Sequence, residues 1–461
     1  MTATPISAGR GPVPGRVMAP ARAQRRGRLV PTRTAFFAAL AVLVVAVISP
    51  APLAVLFFGD VLLVVTVLLD CALACDPAAV GVVRTMPSAV ALGGEATIEW
   101  AITNPSSRVI GVSVADELAP SLAAGTRRLS LRVPAGGTLD RSTVVRPTRR
   151  GRFVPAEVVV RVRGPLGLGA RQHGRLLPGE LRVLPRFASR AQAELRVDRA
   201  HLLQIGLRAS RSMGGGTEFE QLRDWTPDDE TRRIDWAATA RTNKPIVRTY
   251  RAERNQTVIT LLDTGRTMAG TVDEVPRVEH AMDAVMLLTY IATRLGDRAG
   301  LVCFGSSTRA IVPPSHRANQ LGIVTEAMFD LFPELAESDY RSAFAQTLGR
   351  FRRRALLVVL TDLNTQAVEE TLLPALPLIA RSHLVIVGAV RDPQLVRWAD
   401  AAPIDAGEVY RTAAAQAELD RRARLAARLR GLGAIVVDAA PGQLAPALGD
   451  AYLDIKARGR L

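Results

Sequence analysis

Val258-Ile-Thr-Leu-Leu-Asp263 and Ala355-Leu-Leu-Val-Val-Leu-Thr-Asp362 are the stretches on which the fold turns. Each is a short, nearly continuous apolar run that delivers an aspartate at its end. Runs of this length without alternation fit strands buried on both faces. Arg298–Phe304, His383–Ala389 and Ala434–Val437 are further runs of the same kind. Between them, Arg277–Leu295 has a helical period and is followed by Gly296, and 366–381 and the Ala/Arg-rich 408–430 also read as helical. Strands alternating with helices predict an α/β doubly wound domain over 257–461, its parallel sheet covered on both faces. In such sheets ligands bind beyond the carboxyl ends of the strands. Asp263 and Asp362 are both aimed at that edge. Two carboxylates on one rim favour a hard divalent cation with oxygen ligands, and without one their repulsion raises a pKa. An aspartate capping the following helix is the plainer explanation of each taken singly.

Outward from this domain toward the N-terminus, the period changes to two. Over 77–187, Ile98, Trp100 and Ile102 alternate with polar or small neighbours, and Val158, Val160 and Val162 do the same. Gly93-Gly94, Asn104-Pro105, Gly136-Gly137 and Gly164-Pro165 supply turns between such runs. Short strands at this spacing predict a small β-sandwich. Nothing in it has the look of catalysis, so a spacer or docking module is expected.

Further upstream, Thr34–Gly59 is a charge-free run of 26 residues, about 39 Å as one helix and longer than a bilayer core of about 30 Å. Pro50 and Pro52 interrupt it, and the apolar run resumes after Asp60. Two transmembrane helices over 34–76, turning at the prolines, are the expectation. Asp60 is costly in lipid, so it is expected near the headgroups or protonated. Residues 1–33 form a basic arm with seven arginines and no acid, expected to be disordered and cytoplasmic, which places the N-terminus inside. A hairpin then returns the chain, giving a multi-pass protein of the cell membrane with its bulk cytoplasmic. A single span would put that bulk outside.

The net charge is +16, and 127–175 carries twelve arginines against Asp140 and Glu157. No groove-reading motif or aromatic–basic interleaving accompanies this charge, so a face held near anionic lipid is preferred to nucleic-acid binding. Cys71, Cys75 and Cys303 suggest no disulfide framework, and no His or Cys spacing suits zinc.

The segment 188–256 holds the most distinctive pattern. Glu218-Phe219-Glu-Gln-Leu-Arg223-Asp-Trp225-Thr-Pro-Asp228-Asp229-Glu-Thr-Arg232-Arg-Ile-Asp235-Trp236 is followed by Ala-Ala-Thr-Ala-Arg241. Physically, the alternating acids and arginines fit a salt-bridged surface lock with Trp225 and Trp236 filling pockets, or a partner-docking surface. In an aromatic-poor chain Trp236 is expected to be a buried anchor. The pattern resembles the signature of the bacterial domain-of-unknown-function family 58, in which it stands directly before a von Willebrand factor A-like domain. The N-terminal hairpin and β-rich segment fit the same architecture. The resemblance implies a cation site built from a DxSxS motif, a loop hydroxyl and a later aspartate. Here those positions fall on Asp263, Gly265 and Thr267, on Ser338, and on Asp362. Gly265 has no side-chain oxygen, so the resemblance implies a degraded site holding Mg²⁺ or Mn²⁺ weakly.

Three functions are weighed. The first is a membrane-anchored, non-enzymatic protein-binding and assembly factor. For it the resemblance implies an AAA+ ATPase of the MoxR type as partner, since the two kinds of protein are encoded together. The second is a metal-dependent phosphohydrolase of haloacid dehalogenase type with Asp263 as nucleophile, although Gly265 stands where a general acid is needed. The third is a structural membrane scaffold with a dead site.

Overall fold

The structure, a computed structural model, describes residues 16–17, 28–210, 218–226, 231, 234–251, 256–364 and 367–459. The chain divides into two units, Met1–Leu184 and Pro185–Leu461.

In the first unit, β1 (Arg16–Val17) and β2 (Arg28–Pro31) precede α1 (Arg33–Ile48) and α2 (Pro52–Leu73). Ten strands follow: β3 (Gly81–Thr85), β4 (Ala89–Ala91), β5 (Ala96–Thr103), β6 (Ile110–Asp116), β7 (Arg128–Val133), β8 (Thr138–Val145), β9 (Gly151–Phe153), β10 (Glu157–Arg163), β11 (Gly169–Leu176) and β12 (Leu181–Leu184). They assemble as β3-β5-β8, β2-β11-β10-β6-β7 and β1-β9-β12-β4. The period-two reading places the core: Ile98, Trp100, Ile102, Val158, Val160 and Val162 are all buried in one cluster. Arg28–Pro31 of the basic arm is not disordered as expected: it adds an edge strand to β11, whose free backbone groups it satisfies.

Helix α2 has 22 residues, about 33 Å, and is long and apolar enough to cross a membrane. Helix α1 has 16, about 24 Å, and falls short of a full span. The two meet where Gly59 faces Val42, and a Cβ at Gly59 would overlap Val42 Cγ1. Asp60 lies in the interior of α2, eight residues beyond its start at Pro52, and is exposed. Asp70 is buried at the other end of the helix. Its carboxylate accepts from the backbone N–H groups of Leu166 (2.7 Å), Leu168 (2.8 Å) and Gly169 (2.7 Å).

The second unit begins with α3 (Arg190–Ser210), the ribbon β13 (Glu218–Asp224) with β14 (Ile246–Arg251), and α4 (Trp236–Thr242) between them. Then come β15 (Thr257–Asp263), the small hairpin β16 (Thr271–Val272) and β17 (Val275–Pro276), α5 (Arg277–Arg294), β18 (Arg298–Phe304), β19 (Thr308–Ser315), α6 (Gln320–Met328), α7 (Tyr340–Arg350) and β20 (Leu356–Leu360). The chain closes with α8 (Leu373–Ala380), β21 (Leu384–Val390), α9 (Pro393–Asp400), α10 (Ala406–Gly431), β22 (Ile435–Ala439) and α11 (Leu444–Ala457).

The sheet order is β19-β18-β15-β20-β21-β22. All pairings are parallel except β18 with β19. That edge strand departs from the expected all-parallel sheet. Gly305-Ser306-Ser307 turns the chain tightly back, so no crossover helix is needed, and Pro313 and Pro314 suit an edge strand, where a missing N–H is tolerated. Helices cover both faces. Val258 and Leu262 join a core with α3, α5, α6 and α11, whereas Ile259 and Leu261 join one with α7, α8 and α10.

Candidate functional site

Strands β15 and β20 are parallel neighbours, with Leu262 opposite Leu360. Their ends therefore bring Asp263 and Thr361-Asp362 to one carboxyl edge. Asp263 is fully buried there. Its Oδ1 accepts from the Gly265 N–H (2.8 Å) and from Ser338 Oγ (2.5 Å). Its Oδ2 accepts from the Tyr340 hydroxyl (2.8 Å) and from Thr361 Oγ1 (2.6 Å). Ser338 arrives on the loop leading into α7, and Tyr340 is the first residue of that helix, whose N-terminus is capped by Asp339. Three separate chain segments thus converge on one carboxyl group.

The Tyr340 and Thr361 hydroxyl oxygens are also 2.7 Å apart, closing a triangle with Asp263 Oδ2. Burial pushes the Asp263 carboxyl above its usual range against the pull of the donors from Ser338, Thr361, Gly265 and Tyr340, and it pushes the Tyr340 phenol well above its own. Burial disfavours the charged form of both groups.

Asp362 is held differently. Arg422, on α10, donates from Nη1 to Asp362 Oδ1 (3.0 Å) and from Nη2 to Asp438 Oδ1 (2.9 Å). The same Nη2 reaches the carbonyl of Val390 at 3.3 Å. One buried guanidinium therefore ties together the ends of β20, β21 and β22. Burial works against its charge, but Asp438 and Asp362 outweigh that and hold Arg422 above its ordinary value. Arg277, at the start of α5, stands 3.7 Å from Asp362 Oδ2, close enough for an ion pair but without a hydrogen bond from its Nε.

Of the four expected ligands, Asp263 and Ser338 touch each other. Asp362 shares their rim but is bound to arginine. Thr267 lies half-buried on the turn after Gly265, and among the described residues no hydrogen bond joins it to Asp263. A Cβ built on Gly265 would overlap Ser338 Oγ, so the space for a side-chain oxygen at 265 is already filled by the serine. These donors do not fit a divalent cation as arranged. Asp263 is saturated by hydrogen bonds, and the charge that would balance Asp362 is Arg422. Among the described residues no group of three or more His, Cys, Asp or Glu could hold a metal.

Tyr340, Thr361, Arg277 and Arg422 belong to this rim beyond the four residues the sequence pattern points to. Tyr340 and Thr361 adjoin expected ligands in sequence, so a search for hydroxyls beside Ser338 and Asp362 finds them. Arg422 is distant from Asp362 along the chain and lies in an Arg-rich helix, where nothing marks it out.

In the signature segment, Asp235 caps α4, accepting from the N–H groups of Ala237 (3.0 Å) and Ala238 (3.1 Å). Trp236, expected to be a buried anchor, is 70% exposed at the first position of that helix. The reason is geometric: the capping turn spends its inward direction on Asp235 and Ala238, leaving Trp236 outside. Trp225 is half-buried, and its N–H donates to the carbonyl of Pro245. Arg223 sits on β13, and Arg241 folds back on the carbonyl of Ala237. Glu218 and Phe219 open β13. Asp228, Asp229 and Arg232 lie outside the described residues.

The uncharacterized proteins Rv1480 of Mycobacterium tuberculosis (strain ATCC 25618 / H37Rv) and Mb1516 of Mycobacterium bovis (strain ATCC BAA-935 / AF2122/97) are each 27% identical to this chain over 236 residues. The match covers 48% of this chain and 74% of each relative. Among solved structures, the conserved hypothetical protein BatB from Bacteroides thetaiotaomicron aligns at 15% identity with a TM-score of 0.30, over 45% of this chain and 99% of that one. An uncharacterized membrane spanning protein from Vibrio fischeri aligns at 15% identity with a TM-score of 0.18, over 44% of this chain and 98% of that one. At these TM-scores neither alignment carries an argument. Residues 221–421 match the family described as "Protein of unknown function DUF58", a span that holds Asp263, Ser338, Tyr340 and Asp362 and stops one residue short of Arg422.

Proposed function

We propose that the chain is a membrane-anchored, non-enzymatic binding and assembly factor of the domain-of-unknown-function 58 kind. Its α/β unit is read as von Willebrand factor A-like, offering the sheet rim and the exposed Trp236 of the signature segment to a protein partner. The observation that carries this reading is the saturation of Asp263. A nucleophilic carboxylate needs a free lone pair and an approach path. Asp263 has neither: four donors occupy it and it is fully buried. The phosphohydrolase reading therefore has no support from the geometry. In place of Mg²⁺ or Mn²⁺, Arg422 is read as the built-in cation of this rim.

Membrane anchoring rests on α2, whose length matches a bilayer core. A multi-pass arrangement with the bulk cytoplasmic rests on the seven arginines of residues 1–33 and on reading the shorter α1 with α2 as one hairpin. A MoxR-type AAA+ ATPase is the partner the family resemblance suggests. The decisive experiment is co-purification of the detergent-solubilised full chain with such an ATPase, for wild type and Trp236→Ala, alongside an aryl phosphatase assay. Retention by wild type with no turnover is expected. Metal-dependent phosphatase turnover that Asp263→Asn abolishes would replace this reading with the enzymatic one.

A further inference from the structure

The outward face of the five-stranded sheet carries an unusual row. Gly111 on β6 lies between Arg163 on β10 and Arg132 on β7, each in direct register with it. With no side chain in the middle, the row is a notch flanked by two guanidinium stems. A Cβ at Gly111 would come no nearer than 3.8 Å to Arg163. The notch opens into a cleft of about 860 Å³, to which Arg108 adds a third guanidinium and Ser106, Ser107, Ser113 and Ser130 add hydroxyls. No Asp or Glu lines it. Among the described residues, Arg108, Arg132 and Arg163 have no carboxylate partner. A site of arginines and serines without an acid selects an anion, and the planar guanidinium suits phosphate oxygens.

The opposite wall says which anion. It is made by Leu73, Ala74 and Cys75, where α2 ends, and by the loop Gly164–Gly167. Asp70 fixes that loop to the helix through the Leu166 and Leu168 amides. Leu62, Val65, Leu69 and Leu73 fall on one helical face leading to the cleft, and all are exposed. With α2 in a bilayer, this apolar column lies at acyl-chain depth and the cleft at headgroup depth.

We infer that this cleft binds the phosphate of an anionic glycerophospholipid, with its acyl chains laid along Leu62, Val65, Leu69 and Leu73. The inference rests on reading α2 as a membrane helix, and it goes beyond the binding role proposed for the α/β unit. It assigns a use to arginines that composition alone leaves as diffuse positive charge.

The test is native mass spectrometry of the full chain in neutral detergent, titrated with phosphatidylglycerol, phosphatidylcholine or glycerol 1-phosphate. Phosphatidylglycerol should bind at least tenfold tighter than phosphatidylcholine. Arg132→Gln/Arg163→Gln should remove that preference, and so should Gly111→Val, which fills the notch without changing charge. Arg141→Gln, on a different sheet, should leave it intact. Equal phosphatidylglycerol binding by wild type and both notch variants would overturn the proposal. Glycerol 1-phosphate binding as tightly as the lipid would also overturn it, assigning the cleft to a soluble phosphate instead. The membrane reading is tested separately by alkaline carbonate washing of membranes. If the chain washes off, that reading fails, whereas loss of arginine-dependent binding in detergent speaks against the cleft itself.

Discussion

Asp116 in the β-rich unit and Asp263 in the α/β unit are both buried carboxyls, and burial pushes both above the usual range. Their neighbours differ in kind. Asp116 faces a charge: Arg84 Nη1 lies 2.6 Å from Oδ1, with both side chains almost wholly buried, and Trp100 Nε1 donates to Oδ2 at 2.8 Å. Arg84 also donates to the carbonyls of Pro155 (2.6 Å) and Leu177. Asp263 faces only neutral donors. An ionic clamp concentrates its strength in one partner, so its loss strands a charge. A neutral node spreads the same task over several weak bonds, and each can be lost at small cost.

The comparison is broken hardest by Arg84→Met. It should destabilise the β-rich unit by about 3–5 kcal/mol, because Asp116 is left buried and unpaired. Arg84→Met/Asp116→Leu should recover most of that loss. Denaturant unfolding of the solubilised full chain, followed by tryptophan fluorescence, reads both. A double variant no better than the single would mean that the pair is not the source of the cost.

Gly265→Ser comes next. It forces a side chain onto Ser338 and should cost about 1–3 kcal/mol through overpacking. Calorimetry with Mg²⁺ should find no binding gained. A cation bound by this variant would show that the rim is an impaired metal site after all.

Thr361→Val removes one of the four donors on Asp263 together with the hydroxyl contact to Tyr340, and should cost about 1–3 kcal/mol, the net worth of two neutral hydrogen bonds. A loss as large as that of Arg84→Met would erase the distinction between clamp and node.

Asp263→Asn sharpens the comparison through pH. The folded carboxyl titrates above its unfolded value of about 3.9, so its stabilising contribution is complete below that value. That contribution is lost as pH rises through the folded value. Asparagine cannot ionise. The melting-temperature advantage of wild type over Asp263→Asn should therefore shrink as pH is raised from 4 to 8. A constant difference would mean that Asp263 does not titrate in this range.

Trp236→Ala should have the smallest effect on stability, within about 0.5 kcal/mol, because the side chain is exposed. An unchanged melting temperature together with weaker partner retention would place Trp236 in a docking surface. A large drop in melting temperature would return it to the role of buried anchor.

Much of this was legible in the sequence, and the rest was hidden for physical reasons. Val158, Val160 and Val162 could be assigned to a core face because a strand alternates strictly. Asp263 and Asp362 could be put on one rim because each ends an apolar run and parallel strands share their direction. Arg422 could not be found this way. Its distance from Asp362 along the chain is closed only by the packing of α10, and arginines are too common here for one more to stand out. Rarity of aromatics does not bury Trp236, because the cap at Asp235 decides where position 236 points.

The clasp between Asp70 and the loop at 166–169 has a mechanical consequence. Three amide hydrogen bonds hold the end of α2, and a Cβ at Gly169 would overlap Cys71 Sγ, so helix and loop touch without slack. Such a joint couples the helix direction to that of the sheet carrying β11: were α2 to cross a bilayer and tilt to match its thickness, the sheet would turn with it, and bilayer thickness would set the direction in which the β-rich unit faces.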